Sequence, residues 1–302
     1  FSIENDGSNS RIITSSTDNK MINGIVPLIF QYQNVSPITN TNINISNYIA
    51  SNNKKIFFST EKTIYLTDSV GSFLSSLYSV DNDFIGCLTS NDSGDTLYFL
   101  QVSATNSNPI IMMMTTNNLN PIAVGSVPFE YNDIRQFKYF NGDFYYLTDN
   151  SGFLKISNGN VSVLSTADNY SFTVSNSGTV YRAYLTGGNY FISGSSFGPY
   201  QPTIYDLDYS DLEDRMYIYD WSGDGRISYW DFNNNTQTIL FNANNSFQSS
   251  SASMDQVVRY DDDHVYFNLA MSLFSIENDG SNSRIITSST DNKMINGIVI
   301  VD

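Results

Sequence analysis

Apolar residues in this chain fall in runs of four to eight, rich in Ile, Val, Tyr, Phe and Thr, and the runs are separated by clusters of Asn, Asp, Gly and Ser. No stretch of a dozen residues carries apolar positions at i, i+3, i+4 and i+7 with helix formers between them, so the pattern predicts strands and tight turns throughout. One element recurs six times, a short polar turn followed by an apolar–aromatic pair: Lys55-Ile56-Phe57-Phe58, Thr96-Leu97-Tyr98-Phe99, Asp143-Phe144-Tyr145-Tyr146, Thr179-Val180-Tyr181, Arg215-Met216-Tyr217-Ile218 and His264-Val265-Tyr266-Phe267. With Phe57, Tyr98, Tyr145, Tyr181, Tyr217 and Tyr266 as markers, the intervals are 41, 47, 36, 36 and 49 residues, close to the length of a four-stranded propeller blade.

The third copy shows the order within a blade. Arg135 to Phe140, the pair Asn141-Gly142, Phe144 to Thr148, the turn Asn150-Ser151-Gly152, Phe153 to Ser157 and Val161 to Ser165 read as four antiparallel strands, Asn-Gly being a strong hairpin signal. Meanders repeated at this period bury both faces against their neighbours. The sequence therefore predicts an all-β fold, a β-propeller of six four-stranded blades with seven as the alternative, in a single domain over residues 1–302. Tyr98, Tyr145, Tyr181 and Tyr217 are expected in equivalent second strands.

Tyr217-Ile218-Tyr219-Asp220-Trp221 with Gly225-Arg226-Ile227-Ser228, and Ile276-Glu277-Asn278-Asp279-Gly280-Ser281-Asn282, resemble the paired elements of the YWTD propellers of the low-density-lipoprotein-receptor type and of related bacterial surface propellers. Tyr65-Leu66-Thr67-Asp68 and Tyr146-Leu147-Thr148-Asp149 are looser echoes, and no strict YWTD tetrapeptide is present. The resemblance runs from about residue 47 to 289. It implies six blades and carries over no functional residue.

Charge narrows the partners. Thirty acidic residues against fourteen basic ones leave a net charge of −16, with the basic residues scattered, so nucleic acid and anionic membrane surfaces are repelled. Apolar stretches such as Pro109 to Met114 are far too short to span a bilayer. The chain opens at Phe1 without the succession of a signal peptide, which reads as a mature or excised fragment. Abundant Asn and Ser with few Lys lean toward an extracellular or cell-surface protein; the sequons at Asn44-Ile45-Ser46 and Asn160-Val161-Ser162 are what such a composition produces by chance.

Candidate chemistry is sparse. Cys87 is the only cysteine and His264 the only histidine, which excludes an intrachain disulfide; Cys87 reads as a core thiol and His264 as the start of a strand beside acids. Met112-Met113-Met114 reads as blade core rather than a soft-metal site. The sharpest motif is Asp220 to Asp231, which has the calcium-loop spacing: Asp220, Ser222 and Asp224 at positions 1, 3 and 5, Gly225 at 6, the Arg226 carbonyl at 7 and Asp231 at 12. Its flanks read as strands and Ser222-Gly223-Asp224-Gly225 also suits a hairpin, so a hairpin is the primary expectation and calcium, held by Asp220, Ser222, Asp224 and the Arg226 carbonyl with Asp231 far along the outgoing strand, the alternative. Trp221 in the same turn is the candidate binding aromatic. Ser90 to Thr96 resembles the Asp-box of sialidase-type propellers, with Leu97 where that box has an aromatic.

The functional expectation is a non-catalytic propeller module of an exported protein that binds a protein or glycan through its loop face. The alternatives are a propeller glycosidase or lyase with carboxylates at the channel mouth, and an engineered scaffold without native activity. An acidic pair or arginine cluster at the channel would favour the enzyme.

The ends are a separate matter. Phe1 to Val26 recurs without a change as Phe274 to Val299, an offset of 273 residues, about six blades. Both copies cannot pair with one strand edge. The second copy has the shorter loop to close, so Ser275 to Glu277 is expected beside Tyr266, leaving Phe1 to Val26 to build an extra blade or to self-associate with another molecule.

Overall fold

The computed structural model describes residues 54–301 apart from 92, 105, 117, 129, 131–133, 149–151, 167, 201, 221–224 and 244–256. Among the described residues all regular structure is β-strand. Blade 1 holds β1 (Lys55–Thr60), β2 (Thr63–Asp68) and β3 (Leu74–Ser79); blade 2 holds β4 (Phe84–Ser90), β5 (Thr96–Ser103), β6 (Asn106–Thr115) and β7 (Asn118–Ser126). Blade 3 is β8 (Ile134–Phe140), β9 (Asp143–Thr148), β10 (Gly152–Ser157) and β11 (Asn160–Ser165), within two residues of the predicted boundaries. Blade 4 is β12 (Asn169–Val174), β13 (Val180–Thr186) and β14 (Asn189–Ile192), with a two-bond bridge between Tyr190 and Tyr200 where the fourth strand would lie. Blade 5 is β15 (Ile204–Ser210), β16 (Arg215–Asp220), β17 (Arg226–Asp231) and β18 (Thr236–Asn242); blade 6 is β19 (Val258–Tyr260), β20 (His264–Leu269), β21 (Ser272–Glu277) and β22 (Arg284–Ser288).

The last strand, β23 (Ile295–Val301), returns to blade 1 and pairs antiparallel with β1, so that sheet runs β23-β1-β2-β3. The ring is closed by joining the two ends of the propeller sequence in one blade. First strands pack side by side around the axis in the order β23, β4, β8, β12, β15, β19 and back to β23. This is a six-bladed β-propeller, and all six markers lie on second strands. At the β8–β9 turn, Asn141 (φ 47°) and Gly142 (φ 87°) both take the left-handed conformation that a two-residue hairpin demands.

The core is divided among the six seams between blades. Phe57, Ile64 and Leu66 meet Ile85, Leu97 and Phe99 at seam 1–2. Leu100 and Ile111 meet Phe137 and Tyr146 at seam 2–3, and Ala183 and Ile192 meet Leu207 and Ile218 at seam 4–5. Tyr219 and Ile227 meet Phe267 and Ile276 at seam 5–6; Tyr266 and Leu273 meet Phe58, Ile295 and Ile298 at seam 6–1. Seam 3–4 is the thinnest, with Leu147, Phe153 and Phe172 as its fully buried residues. Each fully buried Phe or Leu contributes about 1.5–3 kcal/mol, so a closed ring of small clusters replaces one central core.

The markers work at these seams. Tyr98 stacks on Tyr139 of the next blade with ring centroids 4.6 Å apart, Tyr217 stacks on Tyr260 at 4.5 Å, and Tyr181 meets Tyr209 at 4.7 Å. Their recurrence in sequence reflects one job done repeatedly. Met112 and Met114 pack in seam 1–2, as blade core. Cys87 is half-buried at a bulge of β4 with φ 53° and packs against the seam 2–3 cluster, so it is less enclosed than a core thiol. β20 begins at His264, whose backbone N–H donates to Asp261 Oδ1 at 2.8 Å.

Candidate functional site at the channel mouth

Across each blade the marker pairs with one residue of the first strand: Phe57 with Val299, Tyr98 with Thr89, Tyr145 with Lys138, Tyr181 with Thr173, Tyr217 with Asp208 and Tyr266 with Arg259. Because the registers match, these six partners form a single layer around the axis. All six line one cavity of about 310 Å³ at the end of the ring where the first strands finish, together with Asn91, Tyr139, Asn176 and Tyr260. Half of the layer is charged. Lys138, Thr173, Asp208 and Arg259 are consecutive around the ring, and Val299 and Thr89 complete it.

The charges are paired. Asp208 Oδ1 lies 3.6 Å from Lys138 Nζ, and its Oδ2 accepts the Tyr260 backbone N–H at 2.9 Å. Lys138 Nζ also donates to Thr173 Oγ1 at 3.3 Å and to the Leu207 carbonyl at 3.2 Å. One layer deeper, Asp206 Oδ2 accepts from Arg259 Nη1 at 2.6 Å and from the Val258 N–H at 3.0 Å, while its Oδ1 accepts from Gln136 Nε2 at 2.5 Å. Gln136 Oε1 in turn accepts the Phe172 N–H at 2.8 Å. A polar ladder thus ties the first strands of blades 3, 4, 5 and 6. Burial foremost, and then the nearby Arg259, lower the Lys138 ammonium below its ordinary pKa, with Asp208 and Asp206 acting against them. Burial works to lower Arg259 as well, but Asp206 and Asp208 more than reverse it and hold the guanidinium above its usual value.

Asp206 and Asp208 form the acidic pair that sequence reasoning named as a mark of an enzyme without locating it. They stand two apart on β15, and each faces a base. The legible signal was the polar–apolar–polar triplet repeated at an interval of 35 residues, Gln136-Phe137-Lys138, Ser171-Phe172-Thr173 and Asp206-Leu207-Asp208.

The calcium-spaced segment is built differently. β16 and β17 are an antiparallel pair in which Asp220 faces Arg226 and Arg215 faces Asp231, so Asp220 and Asp231 stand at opposite ends of the ladder, about 17 Å apart at 3.4 Å per residue. They do not converge. Asp220, fully buried, accepts from Arg226 Nε at 3.1 Å and from the Tyr200 hydroxyl at 2.7 Å, and Arg226 Nη2 also donates to Tyr200. Asp231 accepts the Asn234 backbone N–H at 3.0 Å, Asn234 Nδ2 at 3.0 Å and the Asn233 N–H at 2.9 Å, and these bonds, Asn234 foremost, hold its carboxyl below the ordinary range. Trp221, Ser222 and Asp224 lie outside the described residues. Asp220 pairs with the Ile204 end of β15 and the cavity lies toward its Ser210 end, so Asp220 and Arg226 are remote from the mouth. Among the described residues no three His, Cys, Asp or Glu side chains cluster to hold a metal.

In the Asp-box-like turn, Asn91 Oδ1 accepts the Thr96 N–H at 3.1 Å and Asn91 Nδ2 donates to Asp95 Oδ1 at 2.7 Å. Hydrogen bonds from Asn91 and then Thr96 hold the Asp95 carboxyl below its ordinary value. The motif organises the β4–β5 turn at the rim.

No protein-family model matches the chain, and no curated protein matches it in sequence. Its fold is similar to that of a chain in a nidogen/laminin complex (TM-score 0.62, 10% identity, covering 82% of this chain and 98% of that one). It is also similar to TolB from Acinetobacter baumannii (TM-score 0.56, 12% identity, 82% of this chain and 66% of that one) and to the GH74 enzyme of Niastella koreensis (TM-score 0.51, 14% identity, 77% of this chain and 43% of that one). At such identities the likeness defines the propeller fold and leaves function to the site.

Proposed function

We propose that this chain is a non-catalytic binding module of an exported or cell-surface protein, and that a protein or glycan partner docks on the channel-mouth face. The observation that carries the reading is the single layer of six strand-aligned residues around a cavity of about 310 Å³, in which both acids are committed to bases and backbone donors. Such a site offers fixed donors and acceptors with little net charge, which suits recognition of a polar neutral surface; a glycosidase would need one carboxyl free to give up a proton. The neighbour from a nidogen/laminin complex supports a protein partner by analogy of fold alone. A divergent YWTD-type blade is supported by Tyr217 to Asp220 lying on the second strand β16, although the echo at Tyr65 to Asp68 lies on the third strand of its blade. The duplicated ends add a second copy of this chain to the protein partners.

The test is an array of neutral and acidic oligosaccharides and peptides probed with the wild type, with Asn176→Trp, which places bulk on the exposed rim of the mouth, and with Trp221→Ala. Binding lost in Asn176→Trp and kept in Trp221→Ala supports the mouth. The reverse moves the site to the β16–β17 turn, and cleavage of any oligosaccharide replaces the binding reading with the enzyme.

A further inference from the structure

A propeller leaves one sheet edge open at the outside of each blade, a row of unpaired N–H and C=O groups that proteins blunt with charge, proline or a cover. Among the described residues the outer strands are blunted unequally. β7 carries Pro121, β22 opens on Arg284, and Tyr200 bridges to the β14 edge. β3 exposes only Ser79, and β18 only Thr236, Ile239 and Asn242. β11, Asn-Val-Ser-Val-Leu-Ser, has neither charge nor proline and is exposed over its first five residues. Val161, Val163 and Leu164 are 42%, 57% and 46% exposed there.

The preceding turn decides which groups point outward. Asn158 (φ 50°) and Gly159 (φ 77°) make a two-residue hairpin loop closed by Ser157 opposite Asn160. That pair and Lys155 with Ser162 therefore exchange backbone bonds across the ladder, while Val161 and Val163 turn their N–H and C=O to the open side. Val161 stands opposite Ile156 and Val163 opposite Leu154, so both valines share the face of the seam 2–3 cluster.

This edge is complementary to itself. An antiparallel copy centred on Ser162 sets Val161 against Val163 of the second copy and Val163 against its Val161, both as hydrogen-bonded pairs, with the two Ser162 residues facing each other between them. A two-fold axis normal to the sheet keeps all four valines on one face, where β-branched cross-strand pairs stabilise. Charge points the same way. Two chains of net charge −16 repel wherever their acids meet, and β11 brings none to the contact.

We propose that β11 pairs antiparallel with β11 of a second copy of this chain, joining the two blade 3 sheets into one of eight strands. β11 is the strand of its blade farthest from β8 and the axis, so both channel mouths stay open and the proposal is independent of what they bind. A single strand pair is a small interface, and the dimer is accordingly a weak one.

Sedimentation of the full chain over rising concentration tests it, with the Tm of every variant measured alongside. The wild type should pass from monomer to dimer, and the dimer should tighten as salt screens the two acidic chains. Ser162→Asp, at an exposed position, should keep the Tm and weaken the dimer about fivefold or more by setting two carboxylates face to face. Ser162→Lys should do the same, and an equimolar mixture of the two variants should recover a heterodimer, a rescue specific to two-fold pairing about position 162. Ser162→Cys should form a disulfide-linked dimer on mild oxidation, since such a non-bonded pair holds its Cα atoms about 4.5 Å apart; the wild type, with Cys87 alone, should not. A wild type that stays monomeric at every concentration overturns the proposal. So does a dimer that survives Ser162→Asp, that the mixture fails to restore, or that salt weakens. A monomer that instead protects the Val161 and Val163 amides from exchange when an uncharged valine–serine peptide is added also overturns it, and gives the edge to a foreign strand.

Discussion

Seam 3–4 and seam 6–1 join neighbouring blades by different means. Seam 6–1, closed by β23, is packed with apolar side chains from both blades, Tyr266 and Leu273 on one side and Ile56, Phe58, Ile295 and Ile298 on the other. Seam 3–4 has Leu147, Phe153 and Phe172 as its fully buried apolar residues, and beside them Gln136, Lys138, Ser171 and Thr173 link β8 to β12 and onward to Asp206 and Asp208. The lesson is that a propeller seam can trade apolar area for a connected polar ladder, provided that every buried charge finds a partner. The trade has an expected consequence: the polar seam should fail abruptly when one member is removed, and the apolar seam gradually.

The sharpest break comes from Asp206→Ala, which leaves Arg259 facing the channel without its closest acid. Chemical denaturation should show a loss of about 3–5 kcal/mol, and Asp206→Asn should lose less because its one remaining oxygen can still accept from Val258 N–H and Arg259, which share Oδ2, at the expense of the Gln136 bond to Oδ1. A loss under about 1 kcal/mol, the range of an exposed pair, would mean that the ladder is decoration on an otherwise sufficient core. In the apolar seam, Leu273→Ala should cost about 2–5 kcal/mol, and Ile298→Val only about 0.5–1.5 kcal/mol. If Ile298→Val costs as much as Asp206→Ala, the contrast between the seams disappears.

Alkaline titration probes the aromatic layer of seam 2–3. Burial alone pushes the Tyr146 hydroxyl up to about 12, and burial followed by Tyr139 does the same to Tyr98. A raised folded pKa means that the native state keeps a proton which the unfolded chain gives up near pH 10, so this contribution is complete below pH 10 and is lost as pH rises toward 12. Stability measured by urea midpoint should fall across that window, and Tyr146→Phe should flatten the fall. A Tyr146→Phe curve parallel to the wild type would remove burial of that hydroxyl as a cause.

The smallest expected effect concerns calcium. With Asp220 bonded to Arg226 and Tyr200 and Asp231 at the far end of the hairpin, a chelator should shift the Tm by less than about 1 °C, a few tenths of a kcal/mol. A larger fall, restored by calcium and absent in Asp224→Ala, would return the turn to metal binding.

Strand order, blade number and the markers were legible in the sequence because they depend on local alternation and on a repeat that the chain prints six times. Asn141-Gly142 and Phe144 to Thr148 announce a hairpin whatever surrounds them. The placement of Ser275 opposite Tyr266 followed from chain proximity in the same way. Phe1 to Val26 lies outside the described residues. The tertiary structure alone decided which polar residues meet. Lys138 and Asp208, or Gln136 and Asp206, are 70 residues apart in the chain, and nothing local says that their first strands converge on one axis. It also decided that the end of the second copy, rather than its beginning, closes the ring, because closure depends on which strand remains unpaired after six blades have been laid down. The distance between Asp220 and Asp231 was decided there too: twelve residues in a helix–loop–helix bring positions 1 and 12 together, and the same twelve across an antiparallel pair carry them to opposite ends.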